Sequence, residues 1–218
     1  MPAKLKAFSP GLGPLYRRML DQIYHSDDAD LCQRILVSIA IVYRPVTLQE
    51  LTSLIETLDD MTGDLESLQE IIGLCGSFLT VRDGTIYFVH QSAKDFLFTK
   101  AFNNIFPSGS EEVHRVFFSR SLQVMCRTFQ RDMYNLQALG YPIEQIERPE
   151  PDPLAALHYL CIYWVDHLCD WNSISSTVHP VDLQDGGSVD KFLRQKYLYW
   201  LEALMQEHGK GSSVNSKT

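Results

Sequence analysis

Residues 77–90 read SFLTVRDGTIYFVH, two strand-like runs on either side of an Asp83-Gly84 pair. Thr, Val, Ile, Tyr and Phe favour strands. An Asp-Gly pair favours a two-residue type I′ turn, because that turn needs positive φ at both of its central positions. The stretch therefore predicts a β-hairpin, and its position among helical patterns decides the fold.

Helices are predicted before this hairpin. Apolar residues recur with helical spacing over 13–25 and again over 29–43, where Pro45 ends the pattern. Thr47 and Glu50 then match a capping box, in which the hydroxyl and the carboxylate satisfy free amides at a helix start. A short helix to about residue 56 is expected to follow.

A further helix is predicted immediately before the hairpin. Asp64 is placed to cap its start, and Gly76 is placed to end it in the left-handed conformation. Pro45 and Val46 are predicted to form a short extended link before the capping box. The order helix, short strand, helix, helix, hairpin is that of a winged helix. The predicted fold is mostly α: a winged helix with a small antiparallel β-hairpin wing, followed by an all-helical subdomain.

The chain is expected to divide near residue 106, and helical stripes continue beyond that point. A segment with four prolines predicts a stiff linker within the second part, and the final residues have nothing to bury. The expected segments are a flexible amino terminus (1–11), a helix plus winged-helix domain (12–106), a helical arm domain (107–207) that contains the Pro-rich linker (140–153), and a disordered tail (208–218).

Charge and hydropathy argue against two classes of partner. The chain has 19 basic and 27 acidic residues, a formal charge of −8, which opposes general attraction to nucleic acid or anionic membrane. The longest apolar run, 35–43, is half of the roughly 20 residues that a membrane span needs. The start of the chain lacks the apolar block of a signal peptide, and the five cysteines are scattered. We expect a cytoplasmic chain with reduced, buried thiols.

A DNA-binding winged helix is the alternative function. In that mode the helix before the wing enters the major groove, and basic side chains must offset the phosphate charge. The helix predicted over 64–75 carries Asp64, Glu66 and Glu70 and has no Lys or Arg. This composition makes duplex DNA the less favoured partner, although the fold itself permits it.

No catalytic or metal-binding pattern is present in the sequence. It has no phosphate-binding loop after a strand and no nucleophile elbow. His90, Ser92 and Asp95 are the three residue types of a serine-hydrolase triad, but Ser92 and Asp95 also match a helix capping box. Four candidate zinc ligands cannot meet on one continuous helix: His158, Cys161, His167 and Cys169. We expect no enzyme activity, no metal and no cofactor of the chain's own.

The sequence allows two interpretations of His90. It lies between a predicted strand and a predicted helix, where free amides and the helix dipole favour an anion. The simpler reading is a hydrogen-bonded structural histidine.

Five segments carry a family resemblance: GLGPLYRRMLDQI, IVYRPVTLQEL, IIGLCGSFLTVRDGTIYFVHQSAKDFL, IYWVDHLCDW and KYLYWLEAL. Together they resemble the region that follows the NACHT module in fungal NOD-like, STAND-class NTPases, including vegetative incompatibility proteins. The resemblance spans residues 9–204. The winged-helix part also resembles the domain labelled after GPI inositol-deacylase, which implies no deacylase activity here.

The resemblance implies a nucleotide switch. In these receptors the winged helix closes over the resting nucleotide, and a histidine after the wing contacts the ADP β-phosphate in a His-x-Ser/Thr-Phe-Gln-Glu-Phe pattern. His90, Ser92, Asp95 and Phe96 match it, which makes His90 the expected nucleotide sensor with Ser92 beside it. Phe and Gln of the pattern are replaced here by Ala and Lys. The implied partners are a NACHT module that binds ADP or ATP and a C-terminal repeat domain.

Overall fold

The computed structural model describes residues 12–61, 63–101, 105–134, 150–172 and 181–208. Most of the predicted linker, the amino-terminal segment and nearly all of the predicted tail lie outside these ranges. The chain forms two compact units. The first contains the described residues up to Leu48 together with Asp60–Ser110, and the second contains Gln49–Asp59 with the described residues from Glu111 onward.

Helices α1, Leu12–Tyr24, and α2, Ala29–Ile41, open the first unit. The apolar stripe predicted for α1 is the face it buries, through Tyr16, Leu20 and Ile23. α2 is buried on most sides, as its nearly continuous apolar sequence predicts. It ends two residues earlier than expected. Helix α3, Leu48–Leu54, is also shorter than expected and leads to a 3-10 turn at Glu56–Met61.

Helix α4, Leu65–Leu74, has the capping predicted for it. Asp64 accepts a hydrogen bond from the backbone N–H of Ser67 at 3.0 Å and one from its hydroxyl at 2.7 Å. These bonds lower the pKa of the Asp64 carboxyl, because they stabilise its ionised form. After the helix, Gly76 has a φ of +66°, the left-handed conformation expected of a glycine at this position.

The predicted hairpin is confirmed. Strand β1, Leu79–Arg82, pairs with β2, Thr85–Phe88, in antiparallel register. Asp83 and Gly84 have φ values of +49° and +72°, as a type I′ turn requires. On the other edge of β2, Ile86 N–H donates to the Val46 carbonyl at 2.8 Å. The short strand, the helices and the wing together make a winged helix.

Helix α5, Gln91–Phe96, follows β2 and continues into a π-helical turn at Leu97–Ala101. Its inner face is apolar, with Ala93, Phe96 and Leu97 all buried.

The second unit contains three long helices: α6, Gly109–Thr128, α7, His158–Asn172, and α8, Ser188–His208. The sequence predicts two apolar stripes for α6, and their residues are buried: Val113, Phe117 and Val124 on one, and Phe118, Leu122, Met125 and Phe129 on the other. The apolar stripe predicted for α8 is only partly buried. Phe192 is buried, whereas Leu193, Tyr197 and Met205 are exposed. The sequence predicts one helical stripe from Leu154 to Leu168, but α7 begins only at His158. Leu154 and Leu157 lie in turns before the helix and are buried there.

Aromatic side chains from all three helices form the core of the second unit. Trp164 packs at 5.5 to 6.4 Å between ring centroids against Phe118, Phe192 and Trp200. Trp200 also donates its indole N–H to the Cys161 carbonyl at 2.9 Å. These aromatic residues therefore have a structural role in packing the three helices.

Buried Arg120 holds the segment 49–59 within the second unit. Its Nε donates to the Ser53 carbonyl at 3.1 Å, and its guanidinium pairs with Asp59. This segment belongs to the range predicted for the winged-helix domain, and the predicted division near residue 106 stays a prediction.

All five cysteines are free, and three of them are buried, whereas Cys169 is exposed. Within the described ranges, no helix combines the length and the apolar character that a membrane span requires.

Candidate functional site

His90 lies where the sequence predicted, between the wing strand and the next helix. It is the N-cap residue of α5, with an extended backbone at φ −142° and ψ +144°. Its carbonyl accepts from the N–H of Ala93 at 3.0 Å. The side chain is exposed, and its imidazole has no hydrogen-bond partner among the residues that the structure describes. His90 is therefore exposed rather than a buried structural histidine, and no hydrogen bond from the described residues occupies its ring.

Ser92 does not cap α5, so the expected capping box with Asp95 is wrong. The helix begins one residue earlier, at Gln91, which places Ser92 inside its first turn. The Ser92 hydroxyl instead shares a 2.8 Å hydrogen bond with the hydroxyl of Tyr16. The Asp95 carboxylate accepts from Gln91 Nε2 at 2.9 Å. Both side chains are occupied, and the structure forms no triad with His90.

Tyr16 fixes the start of α5 from the side of α1, a role that sequence reasoning missed. Its ring is 4% exposed and packs against Phe78 at 5.8 Å and Phe96 at 5.5 Å between centroids. Through these ring contacts and the hydrogen bond to Ser92, Tyr16 contacts both the base of the wing and the first turn of α5. The helical stripe showed that Tyr16 is buried, but no local signal pointed to Ser92.

The helix before the wing presents the acidic face that the sequence predicted. Asp64, Glu66 and Glu70 are all exposed on α4 or at its cap. A surface of this charge repels phosphate. DNA binding is therefore not favoured.

A histidine pair in the second unit was not anticipated. His167 on α7 is fully buried, and its Nδ1 lies 2.8 Å from Nδ1 of His114 on α6. Its Nε2 lies 2.9 Å from the hydroxyl of Tyr159. Burial, reinforced by the neighbouring His114, lowers the pKa of His167 to about 3. Both rings are thus neutral near pH 7.

The residues that the sequence offered as possible zinc ligands have different surroundings in the structure. His167 is engaged with Tyr159 and His114, while Cys161 is a buried core residue and Cys169 is exposed. Across the described residues, no three His, Cys, Asp or Glu side chains are arranged to hold a metal ion.

Comparison with known proteins finds one family model and one relative that are similar to this chain. Residues 19–107 match the family model described as GPI inositol-deacylase, winged helix domain. The chain is 51% identical over 214 residues to vegetative incompatibility protein HET-E-1 of Podospora anserina. That match covers 93% of this chain and 16% of HET-E-1, so the chain spans about a sixth of its relative. No solved structure matches the chain. Residues 19–107 are therefore similar to the winged-helix domain described for GPI inositol-deacylase, and the chain is similar over most of its length to a segment of a fungal vegetative incompatibility protein.

Proposed function

We propose that this chain is a non-catalytic regulatory segment of a NACHT-type nucleotide-binding protein that signals in fungal incompatibility. The winged-helix family and the similarity to HET-E-1 support that class. In this proposal a NACHT module in the longer protein binds ADP or ATP. The winged helix holds that module closed and relays its nucleotide state to a C-terminal repeat domain.

The exposed imidazole of His90 is the observation that carries the proposal. It extends from the junction of β2 and α5 without a partner among the described residues. A ring N–H of histidine can donate to a phosphate oxygen. In the proposed resting state His90 donates to the diphosphate of ADP, and exchange for a triphosphate releases the contact.

We propose that Ser92 contributes to this site by fixing the position of His90. Its half-buried hydroxyl is bonded to Tyr16, so it fixes the first turn of α5 and with it the His90 backbone. We propose that it supports His90 in nucleotide sensing through that bond.

The test uses the full-length protein that contains this chain, purified with its bound nucleotide. His90→Ala is expected to lower the ADP retained per protein at least twofold, because the closed state loses a phosphate contact. Chromatography of the nucleotide released on denaturation measures this. His90→Gln is expected to restore part of the retention, since the amide also donates a hydrogen bond.

His25→Ala is the matched control, because His25 is another exposed histidine of the first unit, and among the described residues its ring contacts the Asp21 carbonyl of α1. It should retain ADP as the unmodified protein does. Equal retention by His90→Ala and the unmodified protein would contradict the proposed role of His90.

A salt titration tests the DNA alternative with the 218-residue chain. Because the face of α4 is acidic, we expect no binding to duplex DNA at low salt. Binding that weakens steeply as salt rises would overturn the choice between the two functions.

A further inference from the structure

A cleft in the first unit has the features of a binding site and lies apart from the His90 imidazole. It has a volume of about 260 Å³ and opens between the end of α2, strand β2 and the start of α5. Its floor is apolar, formed by buried Ile39, Val42 and Ile86. Arg44 and Lys94 also line it, and none of its lining residues is acidic. This local excess of positive charge contrasts with the formal charge of −8 for the whole chain.

One wall of the cleft is a short open edge of β2. Val89 N–H donates to Phe78 on the β1 side, whereas Ile86 N–H donates to Val46 on the opposite side. Successive residues of an antiparallel strand alternate in this way, so the N–H and C=O of Phe88 point away from β1, as those of Ile86 do. In the described part of the chain, no backbone hydrogen bond joins Phe88 to the segment that precedes Val46.

Lys94 supplies the second element of the site. Its ammonium makes no hydrogen bond or ion pair with any of the described residues. Burial lowers the pKa of Lys94, and the charge of neighbouring Asp95 only partly opposes that effect. The Asp95 carboxylate accepts from Gln91. An anion entering the cleft would therefore replace solvation that Lys94 has partly lost.

We propose that this cleft binds an extended acidic peptide. Its backbone would pair with the N–H and C=O of Phe88, adding one residue pair to the edge of β2. One apolar side chain would lie beside half-buried Phe88 in the cleft, and a carboxylate two residues away would pair with Lys94, because alternate side chains of an extended chain lie on one side. A simple anion would use only the charge, whereas the open backbone edge and the apolar floor favour a peptide.

This inference is independent of the proposed nucleotide role. The cleft includes Gln91 and Lys94 but not the His90 side chain. His90→Ala should therefore leave peptide binding unchanged, so that the two proposals can fail separately.

The experiment measures fluorescence anisotropy of a labelled peptide, acetyl-Ser-Val-Ser-Glu-Ser-amide, titrated with the whole 218-residue chain. Lys94→Glu is expected to weaken binding at least tenfold. Lys94→Met keeps the aliphatic stem and should also weaken binding, which covers the case in which charge reversal disturbs folding. Arg17→Glu is the control, because Arg17 is exposed on α1 outside the cleft and makes the same charge change. It should alter affinity less than twofold.

Two altered peptides test the geometry. Replacing Glu with Lys should abolish binding, because the charge then opposes Lys94. Methylation of the Val backbone nitrogen should weaken binding at least fivefold, because the peptide can no longer donate to the Phe88 carbonyl.

Several outcomes would overturn the proposal. One is the absence of saturable binding, and another is equal affinity for the Lys-containing peptide. A similar loss in Arg17→Glu would mean general attraction rather than a site. Displacement of the peptide by sodium phosphate at an equal concentration would mean a small-anion site instead of a peptide site.

Discussion

Acidification is expected to destabilise the second unit through its paired histidines. One arrangement of protons that satisfies these contacts has Tyr159 O–H donating to Nε2 of His167 and Nδ1–H of His167 donating to Nδ1 of His114. Nε2–H of His114 then faces the Asp170 carboxylate at 3.9 Å. An added proton would place a positive charge at this buried pair, which is disfavoured because burial removes its solvation.

The sign of the pH effect follows from the direction of the shift. The pKa of His167 in the folded protein is about 3, below the ordinary histidine value of about 6.5. The unfolded chain therefore binds the proton more readily. Full stability is present above pH 6.5 and is lost progressively as the pH falls toward 3. At pH 5, 1.5 units below the ordinary pKa, His167 alone costs about 2 kcal/mol. Burial lowers the pKa of His114 as well, in the same direction.

Urea unfolding at pH 7.5 and pH 5 measures this loss. Tryptophan fluorescence is a suitable signal, because all three tryptophans of the chain lie in the second unit. The reference is the double variant His114→Leu, His167→Phe. For each protein, the free energy of unfolding at pH 5 is compared with its own value at pH 7.5. The unmodified protein should lose about 2 kcal/mol more than this variant. An equal loss in both would refute the reasoning, since other groups would then carry the pH dependence.

Three further substitutions are expected to lower the stability of the protein, each for a different physical reason. Arg120→Met should lower the free energy of unfolding by about 2 kcal/mol in urea denaturation, because it leaves the Ser53 carbonyl and Asp59 without their buried donor. Gly84→Ala should cost about 1 kcal/mol and lower the melting temperature, because alanine is strained at a φ of +72°. Tyr16→Phe should cost about 1 kcal/mol in thermal unfolding, because it removes the bond to α5.

Each of these changes has a matched control. Arg115→Met should cost less than about 1 kcal/mol, because Arg115 is an exposed residue paired with Glu112 on the same helix. Gly63→Ala should be neutral, since Gly63 has open space around it and no positive φ. Ser92→Ala should add little to Tyr16→Phe if the two hydroxyls form one bond, whereas full additivity would contradict that bond.

The wing could be predicted from the sequence because its signal is local. Asp83 and Gly84 are adjacent, and the turn they form depends on their own backbone preferences. The cap of α4 is similar, since Asp64 and Ser67 are separated by one turn of helix. Such features are independent of the rest of the fold.

The partner of Ser92 could not be predicted for the opposite reason. Ser92 and Asp95 have the spacing of a capping box, yet the Ser92 hydroxyl bonds to Tyr16, 76 residues earlier in the chain. A buried tyrosine hydroxyl needs a partner, and this tertiary requirement determined the outcome.

The histidine pair shows the same limit. The sequence drew attention to His167 through the nearby His158, Cys161 and Cys169, but its actual partner is His114, 53 residues away. The exposed position of His90 was consistent with its predicted place between strand and helix, and its contact with nucleotide stays a prediction.

The grouping of residues 49–59 with the second unit has a consequence for dissecting this protein. Leu51, Leu54 and Leu58 are each at most 2% exposed, and Arg120 binds the same segment. A fragment cut after residue 107, where the family match ends, would keep these leucines but lose α6 and its guanidinium. Such a fragment would expose these apolar side chains to solvent. We therefore expect it to aggregate or to be cleaved rapidly by proteases at this segment. The smallest piece that folds cleanly must therefore extend well past the wing.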